Sequence, residues 1–416
     1  MKIEGGHTLN GTVTISGAKN LALPAMVATL LTDQPIILHN VPDLADVHSL
    51  LALLEHLGCS YSFENRTLTM CTKNIVTTEA PYDFVRKMRA SILCLSPLVA
   101  RCGSAEVSLP GGCAIGLRGV DLHIRTLVLM GAEVSIEDGL IKTNAPNGLT
   151  GCEIEFPKVT VTGTENALMA AVLAKGTTCL MNVAIEPEVT EFAKLLNLMG
   201  AKITGIGTST LEIEGVDKLH GAEFEIIPDR IEAGTYAIAA SATHGSIFLK
   251  NCLYEHLQYF FTVLQQTGAN VTKQADGVLV SNGNGIIQPY CIYTAPYPAF
   301  PTDLQAQYTV LMCLCNGTAS VTENIFENRF MHIQELMRMG ARIYIDGKTA
   351  RIVGVPSLKG APVMATDLRA SVALILAGLV AEGTTTVHRL YHIDRGYENI
   401  DDKLRACGAV LERTKQ

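Results

Sequence analysis

The chain has 416 residues, 48% of them hydrophobic and 17% charged, with a formal net charge of −8. That balance excludes an intrinsically disordered polymer and leaves room for two domains with separate cores. The negative charge excludes broad attraction to nucleic acid or an anionic membrane, so an anionic ligand needs locally placed cations.

In chain order, Met1-Lys2-Ile3-Glu4-Gly5-Gly6 lacks the apolar core of a signal peptide. A long apolar helix is predicted over 19–31, starting at Lys19-Asn20. It breaks at Thr32-Asp33 before a strand pattern at 35–38, and a second helix-like run then stops at Gly58-Cys59. The same sentence of structure recurs. A helix over 86–100 begins with Arg86, Lys87 and Arg89, breaks at Gly103, and leads through a strand at 105–109 to Gly131-Ala132. A helix over 164–174 begins at Thr164-Glu165-Asn166, breaks at Gly176, and leads to Gly200-Ala201. Helices over 230–242, 303–315 and 367–381 start at Asp229-Arg230, at Asp303 with Gln305, and at Asp367 with Arg369. They break at Gly245, Gly317 and Gly383, and their units close at Gly268, Gly340 and Gly408, each followed by alanine. The closing glycines lie 68 to 73 residues apart. Such a period predicts one strand–helix–strand–helix–strand unit with an extra strand, copied six times, each outer helix stopped by a glycine that tolerates left-handed dihedrals.

The longest apolar stretch, 370–381, is flanked by Arg369 and Glu382 and is too short to span a bilayer. Twelve cysteines suggest a disulfide framework at first sight. None forms a Cys-x-x-Cys pair, however, and Cys94, Cys179, Cys313 and Cys315 sit in apolar runs, which suits buried thiols in a reducing cytoplasm. Cys113 stands apart, in Leu109-Pro110-Gly111-Gly112-Cys113-Ala114-Ile115-Gly116-Leu117-Arg118. A glycine-rich loop can bring backbone close to a ligand, and Arg118 would favour the thiolate. The same segment also reads as a flexible connection with an incidental cysteine.

Acidic residues at helix starts, such as Asp229 and Asp367, are explained by capping. Cations there are not, because the helix dipole disfavours them. Lys19, Arg230 and Arg369 therefore read as site residues, suited with free amides to phosphate or carboxylate. Arg395, before Gly396, reads either as a clamp or as an ion pair with Asp394 or Glu398. His388 and His392 have no third ligand nearby, so no metal site is expected. Gly205-x-Gly207 is not followed by a helix pattern and is no dinucleotide fingerprint.

The period, the glycine loop and the charged helix starts together resemble the enolpyruvyl transferase family, from residue 1 to about 413. The residues that carry the resemblance are Gly17-Ala18-Lys19-Asn20, Met88-Arg89-Ala90-Ser91, 109–113 with Arg118, and Pro228-Asp229-Arg230-Ile231-Glu232. Further along come Phe300-Pro301-Thr302-Asp303, Phe326-Glu327-Asn328-Arg329-Phe330, Ala365-Thr366-Asp367-Leu368-Arg369 and 392–397. The resemblance implies an α/β fold of two inside-out domains, each of three repeated units, with helices inside and sheets outside. One domain would be 20–227, carrying the Cys113 loop. The other would combine 1–19 with 228–416 and carry Asp303, Arg369 and Arg395.

The implied reaction transfers the enolpyruvyl group of phosphoenolpyruvate to the 3-hydroxyl of UDP-N-acetylglucosamine in the cytoplasm. It needs no cofactor, metal, nucleic acid, membrane insertion or obligate protein partner. By similarity, Cys113 is the acid and can carry a covalent adduct, and Asp303 contacts the attacking hydroxyl. Lys19, Asn20, Arg118, Arg369 and Arg395 would hold phosphoenolpyruvate, with Arg89 beside Arg369. Arg118, Gly119, Val120, Asp121 and Leu122 would meet the uridine end, and Lys158, Val159, Thr160 and Val161 the diphosphate. Asn20, Asp303 and Ile325 would contact the sugar. Two residues depart from the family pattern: Gly119 replaces a frequent proline, and Leu93 a frequent tryptophan. Rival readings are the shikimate-pathway enolpyruvyl transferase, a silent nucleotide-sugar-binding paralogue, and a thiol hydrolase with His123 as the base.

Overall fold

Each of the six outer helices ends as its closing glycine requires. Gly58, Gly131, Gly200, Gly268, Gly340 and Gly408 have φ between +93° and +109° in the computed structural model, which describes residues 1–86, 88–110, 119–283 and 285–413. At Asp121–Leu129 the Gly131 amide donates to Val128 O and the Ala132 amide to Leu127 O, the two bonds of a Schellman turn. The strand Glu133–Glu137 begins directly after the alanine.

One complete repeat shows the plan. Glu79–Ala80 leads through helical segments to Ser104–Ser108, which pairs parallel with it, as a helical crossover allows. Asp121–Leu129 follows, and the hairpin of Glu133–Glu137 and Leu140–Asn144 completes a four-stranded sheet. Among the described residues six such sheets form, three in each of two compact units. Their strands alternate in exposure, as in Thr210–Glu214, so one sheet face meets solvent and the other meets helices.

Inner helices of the terminal unit are buried on all sides. In Arg230–Ala242 every residue except Arg230 is buried, and in Leu368–Val380 only the two end residues are not. A helix apolar all round must sit inside a core, and each unit has one of its own. The chain therefore folds as two inside-out α/β units, each of three repeats.

The N-terminal segment supplies strands to distant repeats. Lys2–Glu4 inserts between Thr384–His388 and Val410–Glu412, while Asn10–Thr14 pairs parallel with Ser246–Lys250. The Met1 ammonium donates to Val387 O at 2.8 Å. Ala222–Glu225 likewise returns to pair with Ile36–His39.

One unit holds the described residues of 17–227, and the other, here the terminal unit, holds 1–16 with 228–413. The first boundary thus lies between Ser16 and Gly17 and not after Lys19. The Ser16 amide donates to Glu232 Oε2 at 2.7 Å, and its carbonyl accepts from Asp229 N. Ala18 N instead donates to Ile227 O, and a Cβ on Gly17 would lie 1.8 Å from Asn40 O. Those contacts fix 17–19 in the other unit.

The expected helix over 86–100 is also interrupted. Tyr82–Val85 is one α-turn, Arg89–Cys94 is 3₁₀, and the α-helix proper is Leu95–Cys102. Pro97 has no N–H for Leu93 O, so an α-helix cannot run through from upstream without losing a bond. Gly205 and Gly207 occupy a turn between Lys202–Thr204 and Thr210–Glu214.

Candidate active site

In the terminal unit the N-terminal turns of two inner helices are tied together by charge. Asp303 lies in the 3₁₀ turn Thr302–Leu304, directly before Gln305–Cys313. Its Oδ1 accepts from Arg329 Nη2 at 2.6 Å and its Oδ2 from Arg369 Nη2 at 2.8 Å, both in the short range of charge-assisted bonds. The Arg329 and Arg369 side chains are 6% and 8% exposed, that of Asp303 25%. Burial alone would push the Asp303 carboxyl up, but the two guanidiniums outweigh it and hold the group well below the usual carboxylate range. Burial would likewise lower Arg369, and the Asp303 carboxylate more than reverses that.

Behind this cluster, Arg369 Nη1 donates to Tyr397 Oη at 3.3 Å. The Tyr397 hydroxyl also meets Thr235 Oγ1 at 2.8 Å and Gln307 Nε2 at 3.3 Å. Gln307 Nε2 reaches back to Asp303 O at 2.9 Å. Asp229 and Asp367 are caps, as the sequence suggests. Asp229 Oδ1 accepts from Ile231 N and Glu232 N, and Asp367 Oδ1 from Arg369 N and Ala370 N. The arrangement presents two buried cations to one carboxylate oxygen pair, a geometry that suits an incoming carboxylate or phosphate.

Arg395 closes the 3₁₀ segment Leu390–Arg395 and is partly exposed. Of its two expected ion-pair partners, Asp394 is held by Arg413 at 2.5 Å to each oxygen, and Glu398 accepts from Ser16 Oγ at 2.7 Å. Burial, followed by the Arg395 charge, lowers the His392 imidazole. Ile325 is half-buried, on the segment after Thr318–Thr322.

In the 17–227 unit, Lys19 begins the helix Lys19–Val27, and its Nζ pairs with Asp46 Oδ2 at 3.0 Å. The two side chains are 12% and 4% exposed. Asp46 thus offsets a charge that the helix dipole disfavours. Asn20 follows on the same turn and is half-buried. Arg89 Nη2 donates to Gly119 O at 3.2 Å. Gly119 itself is not in a left-handed conformation, and a Cβ there would meet only the end of the Asp121 side chain. Val120 and Leu122 are buried, so of 120–122 only Asp121 offers an exposed side chain.

Lys158, Val159 and Thr160 precede Val161–Ala171, and Thr160 Oγ1 accepts from Gly163 N at 3.3 Å. A Cβ on Gly163 would lie 2.4 Å from Thr160 Cγ2, so glycine there lets the cap seat. Exposed Lys158 beside an inner-helix N-terminus suits an anion. Leu93 is 1% exposed and packs in the core, which removes a stacking role for it. His123, 3% exposed, is also a core side chain, which disfavours it as a substrate-facing base.

The structure thus joins Asp303 and Arg369 in one cluster. It places Lys19, Asn20, Arg89 and 158–161 in the other unit. Cys113 and Arg118, expected in the site, lie outside the described residues. Sequence reasoning does not find the ion pairs that Arg329 and Asp46 make with Asp303 and Lys19. Arg329 stands in the sequence only within the motif Phe326-Glu327-Asn328-Arg329-Phe330, and Asp46 is the first-turn acid of Ala45–His56.

A family model described as EPSP synthase (3-phosphoshikimate 1-carboxyvinyltransferase) matches residues 3–404. The chain is 54% identical over 423 residues to a UDP-N-acetylglucosamine 1-carboxyvinyltransferase of Rhodopseudomonas palustris (strain BisB5), covering 99% of each. It is 55% identical, with the same coverage, to a protein of the same name from Afipia carboxidovorans. Among solved structures, it resembles the enolpyruvyl transferase NikO from Streptomyces tendae, with a TM-score of 0.90, 26% identity, and 98% and 97% of the two chains covered. An EPSP synthase from Acinetobacter baumannii shares the fold at a TM-score of 0.75 and 17% identity, covering 98% and 97% of the chains.

Proposed function

The chain belongs to the enolpyruvyl transferase family, and from that premise we propose that it transfers the enolpyruvyl group of phosphoenolpyruvate to the 3-hydroxyl of UDP-N-acetylglucosamine. Phosphate is released, and the product opens peptidoglycan synthesis. The observation that carries the choice of acceptor is the identity of 54–55%, over 99% of both chains, with relatives named for that acceptor. The paired guanidiniums on Asp303 support an anionic donor.

In this reading the Cys113 thiol gives a proton to the methylene carbon of phosphoenolpyruvate while the sugar oxygen bonds to the adjacent carbon. The hydroxyl proton passes to the Asp303 carboxylate as that bond forms. The tetrahedral intermediate then returns a methyl proton to the Cys113 thiolate and expels the phosphate, which carries off the proton held by Asp303, restoring the double bond. Lys19, Arg118 and Arg395 hold the phosphate, and Arg369 and Arg329, with Arg89, hold the carboxylate. These cations stabilise charge that builds on the phosphate as it leaves.

Asp303 accepts the hydrogen bond of the 3-hydroxyl and aims it. Held between two guanidiniums it is too weak a base to draw the proton early. It becomes a better acceptor once the substrate carboxylate takes one guanidinium from it. Lys158, Val159, Thr160 and Val161 offer helix-terminal amides and one cation to the diphosphate, and Asn20 and Ile325 flank the sugar. Val120 and Leu122 contribute through backbone, since their side chains are buried, while Gly119 and Asp121 face the uridine end.

Among the described residues no helix is long and apolar enough to cross a membrane. A cytoplasmic location follows from the proposed substrates. Calorimetric titration tests the acceptor. UDP-N-acetylglucosamine should bind and shikimate 3-phosphate should not, and the reverse selectivity would move the chain to the shikimate-pathway branch.

A further inference from the structure

We propose that Glu323 is a positioning residue that fixes the donor-binding guanidinium of Arg329 and the acceptor-side backbone at Ile325 from one buried carboxylate. Resting on the function proposed above, it names the element that couples the two substrate subsites within the terminal unit.

Glu323 follows Thr318–Thr322 and is 4% exposed. Its Oε1 accepts from Thr294 Oγ1 at 2.8 Å, Ile325 N at 2.8 Å and Phe326 N at 3.2 Å. Its Oε2 accepts from Thr302 Oγ1 at 2.8 Å. A buried carboxylate is expensive unless its oxygens are satisfied, and four donors satisfy this one.

The polarity of the Thr302 link is forced. An ionised carboxylate can only accept, so the Thr302 proton is committed to Glu323. The hydroxyl oxygen is then left to accept from Arg329 Nη1, which lies at 3.0 Å and can only donate. The far side of the same guanidinium binds Asp303. Glu323 reaches Arg329 by a second route as well. The Phe326 amide that it holds belongs to the ring lying 5.1 Å from the Arg329 guanidinium carbon. One carboxylate therefore locks the cation that meets the donor carboxylate and the turn at Ile325.

The variants separate the two arms. In Glu323→Gln the amide nitrogen cannot face Ile325 N–H and Phe326 N–H, because donors would oppose donors. The amide carbonyl must stay there and the NH₂ must face Thr302, which reverses that bond: Thr302 Oγ1 must then accept from both the amide and Arg329, and its own proton loses its acceptor. Glu323→Gln and Thr302→Val should each raise KM for phosphoenolpyruvate about three- to tenfold, with KM for the nucleotide sugar within about twofold of wild type. Glu323→Ala should raise both by about tenfold or more. A residue that only supports the fold would lower the folded fraction, and so the maximal rate, leaving both KM values unchanged.

Hydrogen exchange at the Ile325 and Phe326 amides supplies a readout that needs no turnover. It should speed up by about tenfold or more in Glu323→Ala and stay near wild type in Glu323→Gln. Unchanged KM values in all three variants of an active enzyme would overturn the inference while leaving the proposed function standing. Inactive wild-type protein would count against the function. In that event unchanged exchange in Glu323→Ala would overturn the inference, and selective loss of protection there would support it.

Discussion

Replacing Asp303 by asparagine places two buried guanidiniums around a neutral amide. Removing one partner of a buried ion pair typically costs about 3–5 kcal/mol. The Asp303 side chain is 25% exposed, and solvent screening brings the expected loss down to about 2–3 kcal/mol. The amide oxygen keeps one acceptor, which argues against a larger figure. For a unit of roughly 200 residues, each kcal/mol moves the unfolding midpoint by about 2–4 °C, so the terminal unit should melt about 4–12 °C lower.

The same change has a signature in pH. Because the folded-state pKa of Asp303 is depressed, its stabilisation is fully present above the unfolded value of about 3.9 and is lost as pH falls through the folded one. Differential scanning calorimetry of wild type and Asp303→Asn should show a constant gap from pH 8 to pH 5 that narrows as pH falls below about 4. An unchanged melting point in Asp303→Asn at pH 7, or a gap that widens in acid, would refute the account of a carboxylate held by two guanidiniums.

Other consequences can be checked alongside. Asp46→Asn removes the carboxylate that pairs with the Lys19 ammonium at a helix N-terminus, so denaturant unfolding of the 17–227 unit should weaken by about 3 kcal/mol. Adding a methyl at two closing glycines should separate strain from collision. At Gly131 nothing lies within 4 Å of a Cβ, and the loss should be about 1 kcal/mol from the positive φ alone. At Gly58 the Cβ would lie 2.5 Å from Asn74 O, and the loss should exceed that at Gly131, as thermal melts would show. Burial lowers the His332 imidazole from 6.5 to about 4. The unfolded chain therefore binds the extra proton first, and wild type should lose stability as pH falls from about 6.5 to about 4. Unfolding titrations across that window should find the acid limb flatter in His332→Gln.

The repeat was legible because its signals are local. A glycine with positive φ after an apolar helix, and a helix apolar on every side, each need only one stretch of chain. What pairs across the sequence was not legible. Nothing in Asn10–Thr14 announces that its partner is Ser246–Lys250, and nothing in Ala222–Glu225 points to Ile36–His39. Strand alternation fixes a face but not a neighbour. The same limit explains the site. Asp303 and Arg369 could be singled out by their places at helix starts, but the bonds from Arg329 to Asp303 and from Lys19 to Asp46 join residues 26 and 27 positions apart. The boundary near Ser16 moved for a related reason. It is set by Glu232 and Asp229 on one side and by Ile227 and Asn40 on the other, none adjacent to it in the chain.

Phosphate release from phosphoenolpyruvate tests the proposed chemistry most directly, run with wild type and with Cys113→Ala. Release should require UDP-N-acetylglucosamine, match the nucleotide sugar consumed, and vanish in the variant while its melting point stays that of wild type. Release without the nucleotide sugar, or undiminished release by Cys113→Ala, would contradict it.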